Sequence, residues 1–126
     1  MMTNVFLVML GGSIGALSRY GVSLLAVKLF GTRFPWGTLI VNLIGCFFIG
    51  LAFALAERGS SVMSPSMRLF LVTGYLGGLT TFSAYAVETT NALGAPNTAS
   101  AILNVAANNL LGVALVLLGM WVVRLK

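Results

Sequence analysis

Histidine is absent from the 126 residues, cysteine occurs once, at Cys46, and the only acids are Glu57 and Glu88. Without imidazole the chain lacks the usual general base, proton shuttle and metal ligand. A single cysteine excludes an internal disulfide and leaves no cysteine metal site. Two carboxylates give hydrolytic or group-transfer chemistry almost nothing to work with, so no enzyme is expected. Charge is scarce too: 7% of residues are charged, against about a quarter in a soluble domain. The seven basic residues give a net charge of +5 but are scattered along the chain. That pattern excludes a nucleic-acid interface and reads as interfacial anchors and topology signals.

What is abundant is apolar surface. The chain is 59% hydrophobic, with a mean hydropathy of +1.03, which predicts an all-α integral membrane protein. The opening MMTNVFLVML has no basic leader and no cleavage site, so it reads as the first span. Spans are predicted at about 4–29, 36–56, 67–92 and 98–123, in one membrane domain covering 1–126. Each meets the roughly 20 residues that a hydrocarbon core about 30 Å thick requires. Pro35 cannot continue the first helix and suits the start of the second. Ser64 or Ser66 can cap the third, and GAPN at 94–97 reads as a tight loop. Four spans put both ends on one side. Arg58, Arg68, Arg124 and Lys126 share that side; Lys28 and Arg33 lie on the other, with Arg19 deeper. The positive-inside bias is weak and compatible with insertion both ways, hence with an antiparallel dimer about a two-fold axis.

One stretch departs from the apolar background: GYLGGLTTFS at 74–83. Gly74, Gly77 and Gly78 weaken a helix, and Thr80, Thr81 and Ser83 can bond to backbone that a break sets free. A helix broken in the bilayer survives only under protein cover or along a polar path. Alternatively, Gly74 and Gly78 form a small-xxx-small seam against another helix, as Gly11 and Gly15 would in the first span. After this stretch Phe82, Tyr85 and Glu88 recur every three residues on one side of a resumed helix. Arg19 either snorkels to the interface or draws anions into a vestibule. Asn42 is the one strongly polar residue of the second span, and Asn104 and Asn108 share a face of the fourth with Asn109 about 100° away. Such amides need a partner helix or a cavity, since lipid offers none.

The segments GGSIGALSRY (11–20), PWGTLIVNLIG (35–45) and TGYLGGLTTFSAYAVET (73–89) resemble the Fluc/CrcB family of fluoride channels, in order and at natural spacing. The resemblance implies a dual-topology antiparallel homodimer in the cell inner membrane, with two pores that export fluoride passively. It also implies a structural sodium ion, Na+, at the dimer centre, held by third-span backbone carbonyls that map onto Gly77 and Thr80. The pore asparagine maps onto Asn42, the pore aromatics onto Phe82 and Tyr85, and the first-span arginine onto Arg19. This chain departs from the family's pattern at Tyr85, where phenylalanine is usual, and at Ala86, where a hydroxyl is frequent. Taking Gly112 as the fourth-span glycine, Val113 and Leu117 stand where Ser and Thr are frequent. The fourth span's polar contribution then falls to Asn108 or Asn109.

These residue types suit fluoride, which is small and tightly hydrated and must be offered donors in exchange for water. Asn42 and Asn108 carry amide N–H groups, Thr81 and Ser83 carry hydroxyls, and the ring edges of Phe82 and Tyr85 are positive. Two rival functions are weighed. A small multidrug-type proton-coupled exporter needs a carboxylate in the membrane, usually in the first span, where this chain has Arg19; Glu88 is the only candidate. A structural or assembly subunit would carry no ion flux at all.

Overall fold

The computed structural model describes residues 1–59, 62–94 and 98–125. Most of the expected 94–97 loop and the proposed anchor Lys126 lie outside the described residues. Helix α1 runs Met2–Phe30 and α2 runs Trp36–Glu57. The third span is two helices: α3 over 65–79 and α4 over Phe82–Leu93. Helix α5, Ala99–Arg124, is the fourth span. No strand occurs among the described residues. The spans Met2–Phe30, Trp36–Glu57, Pro65–Leu93 and Ala99–Arg124 are each long and apolar enough to cross a bilayer, so the protein is a multi-pass membrane protein. These helix bounds lie within two residues of 4–29, 36–56, 67–92 and 98–123.

The helix ends follow their sequence signals. Pro35 precedes α2, and Gly31, at φ 76°, ends the first helix in a conformation that favours glycine. Ser64 caps α3, its Oγ accepting from the Met67 N–H at 3.2 Å, with Pro65 opening the helix. Trp36 packs against Phe30 and Phe34, with ring centroids 5.6 and 4.8 Å away. This is an aromatic cluster of the kind that sits at headgroup level. At the other end, Arg124 pairs with Glu57 at 3.1 Å, and Arg58 Nη2 donates to the Val123 carbonyl. The ends of α2 and α5 are thereby clamped together.

Packing rests on glycine. Lipid supplies no hydrophobic drive between helices, so they associate where small residues let backbones touch. A Cβ on Gly11 would lie 2.3 Å from the Phe70 carbonyl oxygen, and one on Gly15 would lie 2.2 Å from that of Tyr75. Gly74 and Gly78 meet the α1 backbone at Gly11 and Gly12 from the other side. The α2–α5 pair repeats the device: a Cβ on Gly50 would approach Val116 O to 2.1 Å, and one on Gly119 would approach Phe47 O to 2.2 Å. The apolar core is correspondingly small, with Val41, Leu76 and Leu79 at its centre. Most large apolar side chains point outward, as lipid or a second protein surface requires.

Both readings of residues 74–83 are therefore realised, at different residues. Gly74 and Gly78 form the seam against α1. The break falls afterwards, at Thr80 (φ −80°, ψ 157°) and Thr81 (φ −152°, ψ 117°), both extended.

Candidate functional site

The break leaves the last carbonyls of α3 and the first amides of α4 without regular helical partners. Neighbouring side chains take them up. Thr81 Oγ1 accepts from the Ala84 N–H at 3.2 Å and so caps α4. From α2, Asn42 Oδ1 accepts from the Thr81 N–H at 2.9 Å, while Asn42 Nδ2 donates to the Thr81 carbonyl at 3.3 Å. From α1, Arg19 Nη1 donates to the Thr80 carbonyl at 3.2 Å. Arg19 thus reaches inward to the break instead of snorkelling to the interface. The Thr80 methyl fills the space over Gly45, where a Cβ would come within 2.2 Å of it.

The amides of the second and fourth spans join in one ladder. Asn42 Nδ2 donates to Asn108 Oδ1 at 2.9 Å, and Asn108 Nδ2 donates to Asn104 Oδ1 at 2.9 Å and to the Asn104 carbonyl at 3.0 Å. Asn104, only 1% exposed, donates through Nδ2 to Thr89 Oγ1 at 2.9 Å. Backbone contacts fix the direction of the Asn42 and Asn108 amides. A carbonyl can only accept and an N–H only donate, so Asn108 must turn Nδ2 toward Asn104 O, and Asn42 must turn Oδ1 toward Thr81 N. The N–H groups of Asn42 are both engaged within the chain. An ion at Asn42 would take over one of them, the 3.3 Å contact to Thr81 O being the longer.

Asn108 and Asn109 lie in a π-type segment of α5, Ala107–Leu111. The wider turn brings successive side chains closer in angle, and such segments recur at functional sites. Asn108 turns to α2. Asn109 turns to α4, donating through Nδ2 to Tyr85 Oη at 3.1 Å and to the Val105 carbonyl at 2.8 Å. Val113 and Leu117 are exposed on the outside of α5, so the polar groups of this helix sit earlier in the span, at Asn104, Asn108 and Asn109.

Between the ladder and the start of α4 lies an open cavity of about 390 Å³, lined among others by Asn42, Cys46, Gly77, Thr80, Thr81, Phe82, Tyr85, Asn108 and Asn109. The Phe82 and Tyr85 rings are 5.5 Å apart and tilted by 56°. Phe82 is 79% exposed on this single chain. Ser83 Oγ lies 3.3 Å from Thr81 Oγ1. Most sequence-predicted site residues thus converge on one cavity. Arg19 meets it through Thr80, and Ser83 through Thr81.

Glu88 lies further along α4 and faces a second cavity, beside the loop at 31–35. Its Oε1 accepts from Thr38 Oγ1 at 2.6 Å, and its Oε2 is buried without a partner among the described residues. Thr38 was missed in the sequence. Its signal was available: it precedes Asn42 by four residues and so shares that face of α2. Thr89, which links Asn104 to the Tyr85 carbonyl at 2.8 Å, was missed because a threonine bonded to its own helix leaves no pattern in sequence.

The expected sodium ligands, Gly77 and Thr80, lie at the end of α3 and at the break. In a regular helix the Gly77 carbonyl would accept from the Thr81 N–H, which here turns to Asn42 instead. That oxygen is a hard donor suited to an alkali cation. The Thr80 carbonyl already holds Arg19, and its second lone pair leaves room for one more partner. The donor set fits a cation held by backbone oxygen. Among the described residues no cluster of acids, histidines or cysteines competes with it.

Residues 6–120 match the protein-family model described as CrcB-like protein, Camphor Resistance (CrcB). Over 118 residues the chain is 48% identical to the fluoride-specific ion channel FluC of Shewanella sp. (strain W3-18-1), covering 94% of each chain. It is 46% identical over 107 residues to the protein of that name from Shewanella halifaxensis (strain HAW-EB4), covering 85% of each. The Rhizobium etli (strain CIAT 652) protein of the same name is 42% identical over 123 residues, 98% of each chain.

Proposed function

The chain belongs to the CrcB-like family, and on that premise we propose that it is a fluoride-specific ion channel that lets fluoride leave the cytoplasm passively across the inner membrane. The observation that carries this reading is the helix break at Thr80–Thr81, which opens a polar cavity inside an apolar span. Relatives named fluoride-specific ion channels support the choice of ion.

Fluoride must trade its water for donors of similar strength. Along the cavity these are the hydroxyls of Thr81 and Ser83, the amides of Asn42 and Asn108, and the ring edges of Phe82 and Tyr85. Several weak sites in file let the ion both enter and leave. Arg19, bonded to the Thr80 carbonyl, adds fixed positive potential near the path.

The cavity is open and Phe82 faces outward from a single chain, which supports a second copy completing the wall. In this proposal the copies are antiparallel and inserted in both orientations, as the weak charge bias permits. A sodium ion on the axis is held by the Gly77 and Thr80 carbonyls of both copies. It supplies positive charge that holds two breaks together and is not transported.

The test is efflux from liposomes read with a fluoride electrode, with chloride as control. The purified protein is expected to release fluoride and retain chloride, and Phe82→Ala is expected to depress the rate. Absence of fluoride release from loaded vesicles would leave the assembly-subunit reading. No carboxylate lies in α1, so the multidrug-type exporter gains nothing from the fold.

A further inference from the structure

Among the polar groups lining the cavity, nearly every donor is already spent. Asn42 gives its N–H groups to Thr81 O and Asn108 Oδ1, and Asn108 gives its own to Asn104. Thr80 Oγ1 donates to the Leu76 carbonyl at 3.0 Å. The Tyr85 hydroxyl differs, and the reason lies in Asn109. The Asn109 side-chain atom 2.8 Å from the Val105 carbonyl must be the nitrogen, because a carbonyl cannot donate. The same nitrogen is 3.1 Å from Tyr85 Oη. The phenolic oxygen is therefore held as an acceptor, and its own hydrogen has no acceptor among the described contacts.

We propose that Asn109 is a positioning residue: by occupying the acceptor side of the Tyr85 hydroxyl, it leaves the O–H to donate to the ion in the cavity. The pair makes Tyr85 a donor that is ready before the ion arrives, beside the one hydroxyl hydrogen that the Thr81–Ser83 contact leaves over, while an ion at Asn42 must first displace a protein contact. A phenylalanine at 85 would offer only a ring edge, so the Tyr85–Asn109 pair sets how tightly this chain holds fluoride as it passes. Asn109 does not itself touch the ion. The inference rests on the fluoride reading, and the experiment separates the two.

The measurement is the fluoride concentration that half-saturates conductance in planar bilayers, for the full-length protein and for Tyr85→Phe, Asn109→Leu, the double change and Asn109→Asp. No fluoride current from the unaltered protein defeats the channel reading, and with it this one. With current present, Tyr85→Phe and Asn109→Leu are each expected to raise the half-saturating concentration by about three- to tenfold, the weight of one hydrogen bond. The double change should go no further than either alone. A carboxylate at 109 would accept the phenolic proton and turn it from the ion, so Asn109→Asp should match or exceed the Tyr85→Phe shift. A packing role alone would change expression or maximal current and leave half-saturation where it was. The inference is overturned if Asn109→Leu leaves half-saturation unchanged, if its effect adds to that of Tyr85→Phe, or if Asn109→Asp behaves as the unaltered protein does. Tyr85→Phe keeps the ring and its packing, so half-saturation remains measurable even if a change at 109 prevents assembly.

Discussion

Asn42 holds the Thr81 N–H and carbonyl at the break and supports Asn108 from across the bundle. Asn42→Ala takes the side-chain acceptor from the Thr81 N–H at the break, at a cost of about 1–3 kcal/mol. The expected outcome is a lower melting temperature in detergent together with loss of fluoride efflux, and loss of only one of the two would separate the structural role from the pore role. Thr38 and Glu88 make a second test. Among the described residues Glu88 has one side-chain partner, and its other oxygen is buried unpaired. Thr38→Val should destabilise by about 1–3 kcal/mol, because it leaves both carboxyl oxygens unmatched. Adding Glu88→Leu should recover part of that loss, since replacing both partners of a buried bond is far cheaper than removing one. Thermal unfolding of the single and double variants reads this directly.

At the scale of elements, one glycine seam and one break share out what a single glycine-rich stretch announced. Gly15 lies in the α1–α3 seam, where an added methyl would meet the Tyr75 backbone at 2.2 Å; Gly21, on the same helix, has nothing within 4 Å. Gly15→Ala should force the helices apart and cost at least about 1–3 kcal/mol, as overpacking does. Gly21→Ala should be neutral or stabilising by about 0.5–1 kcal/mol, the helix preference of alanine. Comparing their melting temperatures checks the seam without touching the pore. The spans, a serine cap at 64 or 66 and the Pro35 start were legible because length, hydropathy and capping act locally. The site of the break was legible only to within the stretch. Gly74, Gly77 and Gly78 looked like the weak point, yet the seam keeps that part helical. The chain opens at Thr80–Thr81, where Asn42, Arg19 and the Thr81 hydroxyl are on hand to satisfy the backbone.

For the whole molecule, the outward faces of α1, α4 and α5 carry large apolar side chains, and the cavity is open on one side. An antiparallel dimer predicts that a label on the loop at 31–35 meets solvent on both sides of the membrane. Thr32→Cys in a Cys46→Ser background should react with an impermeant maleimide to about half its extent from each face, the share that equal dual insertion gives. Complete labelling from one side would exclude dual topology. Replacing sodium by a large organic cation should lower both fluoride conductance and thermal stability if the Gly77 and Thr80 carbonyls hold the ion, since a ligand bound only to the folded state stabilises it. Unchanged conductance after exhaustive sodium removal would dismiss that ion.

Composition alone determined that this is a four-span membrane protein with no catalytic outfit, because lipid imposes length and apolarity residue by residue and leaves both in the sequence. The kinship was equally readable, since the motifs that carry it are contiguous. Which donors are free could not be read that way. An asparagine in sequence offers two N–H groups wherever it stands. Only the folded chain showed those of Asn42 and Asn108 turned to protein acceptors, the Tyr85 oxygen occupied by Asn109, and Arg19 bound to the Thr80 carbonyl. Hydrogen bonds are settled by distances of a few tenths of an ångström between helices far apart in the chain, and that information exists only after packing.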